Sequence, residues 1–155
     1  MPTTEQKARA EIYRNAAIEH VGVAIELYDM SRFVLSNYVA GLAAECMLRA
    51  YRHMIDPEFD SRHELSKLYQ LAGFADTVPP SQVENVTAAL GDVVACWSND
   101  HRFLSAAALR KRWTKQRLYA GIKGDFVKEI VRRTVNAASL LVSIGDARWN
   151  SSFRE

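Results

Sequence analysis

The 155-residue chain is poor in residues that interrupt or crosslink regular structure. It has seven glycines, four prolines and two cysteines. So few turn formers argue against a β-sandwich of many short strands. Two cysteines without a Cys-x-x-Cys spacing exclude a disulfide scaffold. Cys46 and Cys96 both lie in helical patterns, and we expect two reduced core thiols rather than a disulfide, although the count allows one.

Long apolar runs are also absent. No stretch of 18 apolar residues occurs, so we expect no membrane span and no membrane partner. The start, Met1 to Lys7, is polar and lacks the apolar core of a signal peptide. We therefore expect a cytoplasmic protein, with a single domain over 1–155 that ends in a short polar tail at 148–155.

Apolar residues recur at three- and four-residue steps along most of the chain. This pattern predicts an all-α fold, an up-and-down bundle of four main helices plus one or two short helices. The main helices are expected at about 5–30, 32–55, 81–98 and 125–144, a short one at about 63–72, and a part-helical stretch at 104–119. The expected caps are Thr4, Ser31, Ser81 and Asp125, and the expected stops are Gly73 and Gly145. The expected core stripe of the first helix is Ile12, Ala16, Val23, Leu27 and Met30.

Charge is unevenly distributed along the sequence. Residues 101–133, hereafter the basic segment, hold ten Lys/Arg and only two acidic residues, whereas residues 1–100 hold eight basic and fourteen acidic ones. A basic stretch with interleaved aromatic residues is typical of a surface that binds a phosphate backbone. A solvated helix face or a dimer contact with the acidic first half would have the same composition. The candidate nucleic-acid-binding residues are Trp97, Arg110, Lys111, Arg112, Lys115 and Arg117, and stacking on RNA bases would require Trp113 to be exposed.

Motifs of common enzyme classes are missing. The sequence has no Walker loop, no Gly-x-Gly-x-x-Gly, no His-Glu-x-x-His and no Gly-x-Ser-x-Gly. No histidine has a glutamate three residues before it, as the helices of a di-iron bundle require. We therefore expect neither a metal nor a cofactor.

Three segments in order resemble those of HEPN domains. Tyr38-Val39-Ala40-Gly41-Leu42-Ala43-Ala44-Glu45-Cys46-Met47-Leu48 resembles the family's Tyr-x-Ala-Gly-x-x-Ala-Glu-x-x-Leu helix. His63-Glu64-Leu65-x-x-Leu68 resembles its His-Asp-Leu-x-x-Leu helix, and Trp97-x-x-x-His101-Arg102-Phe103 resembles its Trp-x-x-x-x-Arg-Tyr element. The match covers about residues 10–145, with Gly41, Glu45 and His63 as family-motif positions.

The resemblance implies a bundle of about five helices that commonly forms homodimers. HEPN domains occur in toxin–antitoxin, phage-defence and RNA-processing systems, and many work beside a nucleotidyltransferase. Active members are metal-independent ribonucleases that carry Arg-x(4–6)-His in the C-terminal part of the domain.

This sequence departs from that active pattern. Its last histidine is His101, and no arginine stands four to six residues before it. The one literal match, Arg14 to His20, lies in the first helix, where six residues place the two side chains about 120° apart. We therefore expect a non-catalytic, dimeric HEPN-like domain that binds RNA, a nucleotide or a nucleotidyltransferase. The alternatives are an endoribonuclease using His101 with Arg102, or Arg14 with His20, and a pure protein-interaction scaffold.

Overall fold

The computed structural model describes residues 1–58 and 64–153, and the described chain is all-α. Its helices are α1 (Thr4–Asp29), α2 (Phe33–Ile55), α3 (Leu65–Leu71), α4 (Phe74–Thr77), α5 (Val83–Cys96), α6 (Ala106–Lys115) and α7 (Phe126–Ser152). Two 3-10 turns, Pro80–Gln82 and Asn99–Phe103, precede α5 and α6. The predicted class, an all-α bundle, is confirmed.

Local chemistry explains where several helices begin and end. Asp125 caps α7 by accepting hydrogen bonds from the backbone N–H groups of Val127 and Lys128, as the sequence predicts. Asp56-Pro57 follows the end of α2, and Gly73 follows α3 with a φ of +63°, a backbone conformation that favours glycine. Three predicted caps are wrong. Thr3 rather than Thr4 caps α1, α2 has no side-chain cap, and Pro80 to Gln82 form a 3-10 turn before α5.

Helices α1 and α2 form the antiparallel hairpin that the short connection predicts. The Ser36 hydroxyl donates to the Ala24 carbonyl at 2.7 Å, and the Gln6 amide, near the other end, donates to the carbonyls of His53 and Met54. Helix α7 packs on both helices of the hairpin and on α5. This arrangement buries most of α2, which is the central helix of the bundle.

The predicted core stripe of α1 is wrong. The side chains that α1 buries fully are Ala10, Ala17 and Ala24, spaced by seven residues, whereas larger residues such as Tyr13 pack only partly buried against the core. Of the predicted stripe, Ile12 is 68% exposed and Met30 is 65% exposed, whereas Ala16 is half-buried and packs against the core.

The predicted C-terminal boundary is also wrong. Gly145 does not end the last helix; α7 continues through it to Ser152. Gly145 is buried, and a larger residue would not fit there because Met47 lies where its Cβ would project. Beyond it, the Trp149 indole is buried and its N–H donates to Glu11. Residues 148–152, part of the polar tail predicted at 148–155, therefore continue α7, and Trp149 joins this turn to α1.

Candidate nucleic-acid interface

The first and third segments of the family resemblance meet at one junction. The Trp97 indole lies directly over Gly41, where a Cβ would overlap the ring, and its N–H donates to the Tyr38 carbonyl at 2.9 Å. Beside it, the Asn37 amide donates to the Cys96 carbonyl at 3.0 Å. Gly41 is thus required for close approach between α2 and the end of α5.

Trp97 is a predicted nucleic-acid-binding residue, but its ring is buried at this junction. The side chain is 7% exposed and stacks on Tyr38 with ring centroids 6.3 Å apart. A base cannot lie on a ring that is already covered on its faces. Trp97 therefore positions the segment that follows it, residues 98–104, rather than offering a stacking surface.

Glu45, the second family-motif position, is 1% exposed in the middle of α2. Its carboxylate accepts from the Arg49 guanidinium at 3.3 Å, one helical turn away. A buried carboxylate requires such a partner because desolvation disfavours an isolated charge. The third position, His63, lies outside the described residues.

His101 is buried and forms part of a local structural motif. It is 4% exposed, its Nδ1 accepts from the Ser98 N–H at 3.4 Å, and its ring meets Trp113 edge-on at 6.2 Å. Burial lowers the pKa of His101, which favours the neutral ring. In this position the imidazole stabilises the 3-10 turn and is closed off from a large substrate.

The two residues after His101 are exposed, and sequence reasoning missed one of them. Phe103 is 75% exposed, and the Arg102 guanidinium lies 4.6 Å from its ring centroid. A large exposed aromatic ring beside a cation is an arrangement that can stack on a nucleobase. The feature of the sequence that could have indicated Phe103 is its place in the third family-like segment, directly after Arg102.

Arg14 and His20, the literal Arg–His match, are not placed in a common site. Arg14 Nη2 lies 2.7 Å from the Asp146 carboxylate and its Nη1 lies 3.0 Å from Glu11, and the guanidinium lies 5.6 Å from the Trp149 ring centroid. This cluster joins α1 to α7. Arg14 is therefore already engaged by two carboxylates in a structural contact.

Four cations of the basic segment have acidic partners. Arg110 pairs with Asp125 and Arg112 with Asp100, at 3.3 and 3.1 Å. Arg132 and Arg133 both pair with Glu129. The hydrogen bond from Arg132, supported by Arg133, lowers the pKa of Glu129 to about 2.

Six cations of the segment are exposed and make no ion pair within the described part of the chain. They are Arg102, Lys111, Lys115, Arg117, Lys123 and Lys128. Lys111 and Lys115 are one turn apart on α6 and share a face. The Arg110–Asp125 pair and the contact between Tyr119 and Phe126 hold α6, the 116–125 connection and the start of α7 together. The unpaired positive charge is therefore concentrated on connected elements.

Trp113 does not meet the condition for stacking on RNA. It is 1% exposed and holds α6 against the core. The exposed aromatic residues of the segment are instead Phe103 and Tyr119, which is 44% exposed. Amphipathicity explains the difference, because α6 uses Leu109 and Trp113, four residues apart, as its buried face.

A cavity of about 350 Å³ adjoins the basic segment. Apolar side chains of Phe33, Val34 and Val127 line it, and Arg110 and Asp125 contribute polar groups. Its volume is at the lower end of the range for small-molecule sites.

Comparisons with protein-family models, curated proteins and solved structures found no match to this chain. Within residues 1–58 and 64–153, no cluster of three or more His, Cys, Asp or Glu residues could hold a metal ion. No helix of the described chain has both the length and the apolarity to cross a membrane. Cys46 and Cys96 are free thiols, and burial raises the pKa of Cys46 to about 11.

Proposed function

We propose that this protein is a non-catalytic, HEPN-like helical domain that binds single-stranded RNA through the basic segment. The observation that carries the proposal is the set of six exposed cations on α6, its flanking connections and the start of α7 that have no acidic partner among residues 1–58 and 64–153. Exposed cations of this kind bind phosphates and release the counterions condensed on the nucleic acid.

The exposed aromatic residues support single-stranded rather than duplex RNA. Phe103 presents most of its ring to solvent, next to Arg102, so a base can stack on the ring while a neighbouring phosphate contacts the guanidinium. Bases inside a duplex are already stacked and present no free face. A free mononucleotide, the other ligand expected from the resemblance, would use the same cations with the adjoining cavity.

Binding without cleavage is proposed because of where the candidate catalytic groups lie. His101 is buried and accepts a backbone hydrogen bond through Nδ1, and Arg14 is held between two carboxylates. General acid–base catalysis requires a side chain that reaches the reacting proton. The homodimer and the nucleotidyltransferase partner are proposals that rest on the resemblance, and the cytoplasmic location is a proposal that rests on the two free thiols.

The test compares two triple variants by fluorescence anisotropy with a labelled single-stranded RNA. Lys111→Gln, Lys115→Gln and Lys123→Gln together remove three unpaired cations of the basic segment. The control, Arg9→Gln, Lys67→Gln and Arg148→Gln, removes three exposed cations elsewhere and changes the net charge equally. The first variant should bind at least about 10-fold more weakly and reduce the slope of log Kobs against log salt by about 2, whereas the control should change little.

Equal weakening in both triple variants would show a response to net charge alone and contradict the assignment to the basic segment. Adding excess unlabelled mononucleotide separates the two ligand classes. We expect it not to displace the RNA, because one nucleotide contacts few of the six cations. Complete displacement at micromolar mononucleotide would identify the nucleotide as the ligand and contradict the RNA proposal.

A further inference from the structure

The cavity beside the basic segment is bounded by the beginnings of three helices, α2, α6 and α7. Its walls are mainly apolar and are formed by the side chains of Phe33, Val34, Leu35, Ala106 and Val127. Phe33 is only half-buried, so part of an aromatic ring remains available to a ligand. A volume of about 350 Å³ is enough for one small ring system with its substituents.

Arg32 adds an unused positive charge to the lining of this cavity. It is exposed, and it makes no ion pair within residues 1–58 and 64–153. Arg32 lies about 70 residues before the basic segment in the sequence, yet the fold brings it to the same cavity as Arg110. A guanidinium without a carboxylate partner is a strong binding group for phosphate.

Asp125 supplies a hydrogen-bond acceptor in the same cavity. The hydrogen bonds that it accepts in the described chain come from Arg110 and from the backbone N–H groups of Val127 and Lys128, and all of them end on Oδ1. The other carboxylate oxygen, Oδ2, can therefore accept an N–H group from a ligand. The Watson–Crick edge of every nucleobase carries such an N–H donor, and proteins that bind single-stranded RNA commonly read that edge.

We infer that this cavity is a base-binding pocket, which holds one unstacked base of the bound RNA with a phosphate of the same strand on Arg32. The inference rests on the proposed function and names a specific subsite within it. The apolar walls match the base ring, Oδ2 of Asp125 matches its N–H edge, and Arg32 matches its phosphate. The pocket also adjoins the cations that hold the rest of the strand, because Arg110 precedes Lys111 on α6.

Two alanines at the start of α6 provide a matched test of the pocket. Ala106 and Ala107 are both exposed, but of the two only Ala106 lines the cavity. Leucine is a good helix former, so both variants should fold, as circular dichroism would verify. Ala106→Leu should fill part of the pocket and weaken binding of a labelled single-stranded RNA about 10-fold in fluorescence anisotropy, whereas Ala107→Leu should bind like wild type.

The salt dependence of binding separates loss of the base contact from loss of a phosphate contact. Ala106→Leu removes no charge, so its plot of log Kobs against log salt should lie below that of wild type and parallel to it. Arg32→Gln removes one phosphate contact and should reduce the slope by about 0.7, whereas Lys67→Gln, an exposed cation outside the cavity, should leave the slope unchanged. A reduced slope in Ala106→Leu would show that the leucine disturbs phosphate contacts and would contradict the base pocket.

The outcomes distinguish the pocket from the RNA interface as a whole. Equal RNA binding by Ala106→Leu and Ala107→Leu, while the triple lysine variant still binds weakly, would overturn the pocket and leave the interface. A wild-type protein without affinity for RNA would overturn both.

Discussion

Replacing Gly41 by alanine tests the junction that carries the family-like segments. Gly41 lies inside α2, and a Cβ there would fall within 3.0 Å of the Trp97 ring atoms Cγ, Cδ1 and Nε1. The ring cannot move away easily, because it is buried and its N–H is bonded to the Tyr38 carbonyl. Helix α2 and the end of α5 must therefore separate.

The magnitude follows from three contributions. Overpacking of a well-packed core costs about 3 kcal/mol when a rigid ring is in the way. Weakening of the Trp97 hydrogen bond costs about 1 kcal/mol. Alanine is favoured over glycine within a helix by about 1 kcal/mol, which offsets part of the loss. We expect the free energy of unfolding to fall by about 3 kcal/mol, measured by urea denaturation at 25 °C.

Gly91→Ala is the matched control for this substitution. Gly91 also lies inside a helix, α5, but a Cβ there would meet no atom within 4 Å. Only the helix-propensity gain remains, and the variant should be about 1 kcal/mol more stable than wild type. A Gly41→Ala protein as stable as Gly91→Ala would refute the close approach of Trp97 to α2.

Three further predictions concern individual side chains. Burial lowers the pKa of His101 below the unfolded value of about 6.5, so the unfolded state binds a proton that the folded state does not. The free energy of unfolding should therefore fall as the pH drops below about 6.5, and His101→Asn should reduce this pH dependence. The slope that remains in the variant is due to His53, whose pKa is also lowered by burial. A variant with the same pH profile as wild type would contradict the assignment to His101. Arg14→Gln should destabilise the protein by about 1–2 kcal/mol in thermal or urea unfolding, because it leaves Asp146 and Glu11 without their shared cation; a neutral effect would argue against the cluster. Phe103→Ala should weaken single-stranded RNA binding about 10-fold without loss of stability, and more than it weakens duplex binding. Phe103→Leu, which keeps the apolar volume but not the aromatic face, should behave like alanine if stacking is the cause.

The sequence predicted the parts of the fold that depend on local chemistry. Asp125 as a cap and Gly73 as a stop each follow from hydrogen bonding or backbone geometry within a few residues. The all-α class follows from the recurrence of apolar residues every three or four positions, which is required whichever neighbour an amphipathic helix packs against.

The failures come from packing between distant elements. On α1 the large apolar residues follow a regular stripe, but the side chains that the fold buries fully on this helix are alanines such as Ala17. Gly145 was predicted to end the last helix, but it lies inside α7 and allows Met47 to pack closely. The sequence does not show this contact because it depends on tertiary structure. Periodicity indicates a face and does not say which neighbour covers it.

The candidate site was predicted only in part. Charge clustering located the basic segment, since charge is visible in the sequence. Which cations lack partners depends on folding, because Arg110 meets Asp125 fifteen residues away. Trp97, a predicted binding residue, and Trp113, whose role depends on its exposure, are both buried, and Phe103 is the most exposed aromatic residue of the basic segment.

The most direct test of RNA binding by the basic segment is a salt titration of the wild-type protein. A labelled single-stranded RNA is bound in the presence of a chelator, and the RNA is recovered afterwards to measure its integrity. The six cations that make no ion pair in the described part of the chain predict a slope of log Kobs against log salt of about −4, with the RNA intact. No binding at low salt, or binding with a slope near zero, would contradict the proposed interface. Cleavage that persists with chelator would contradict a non-catalytic role.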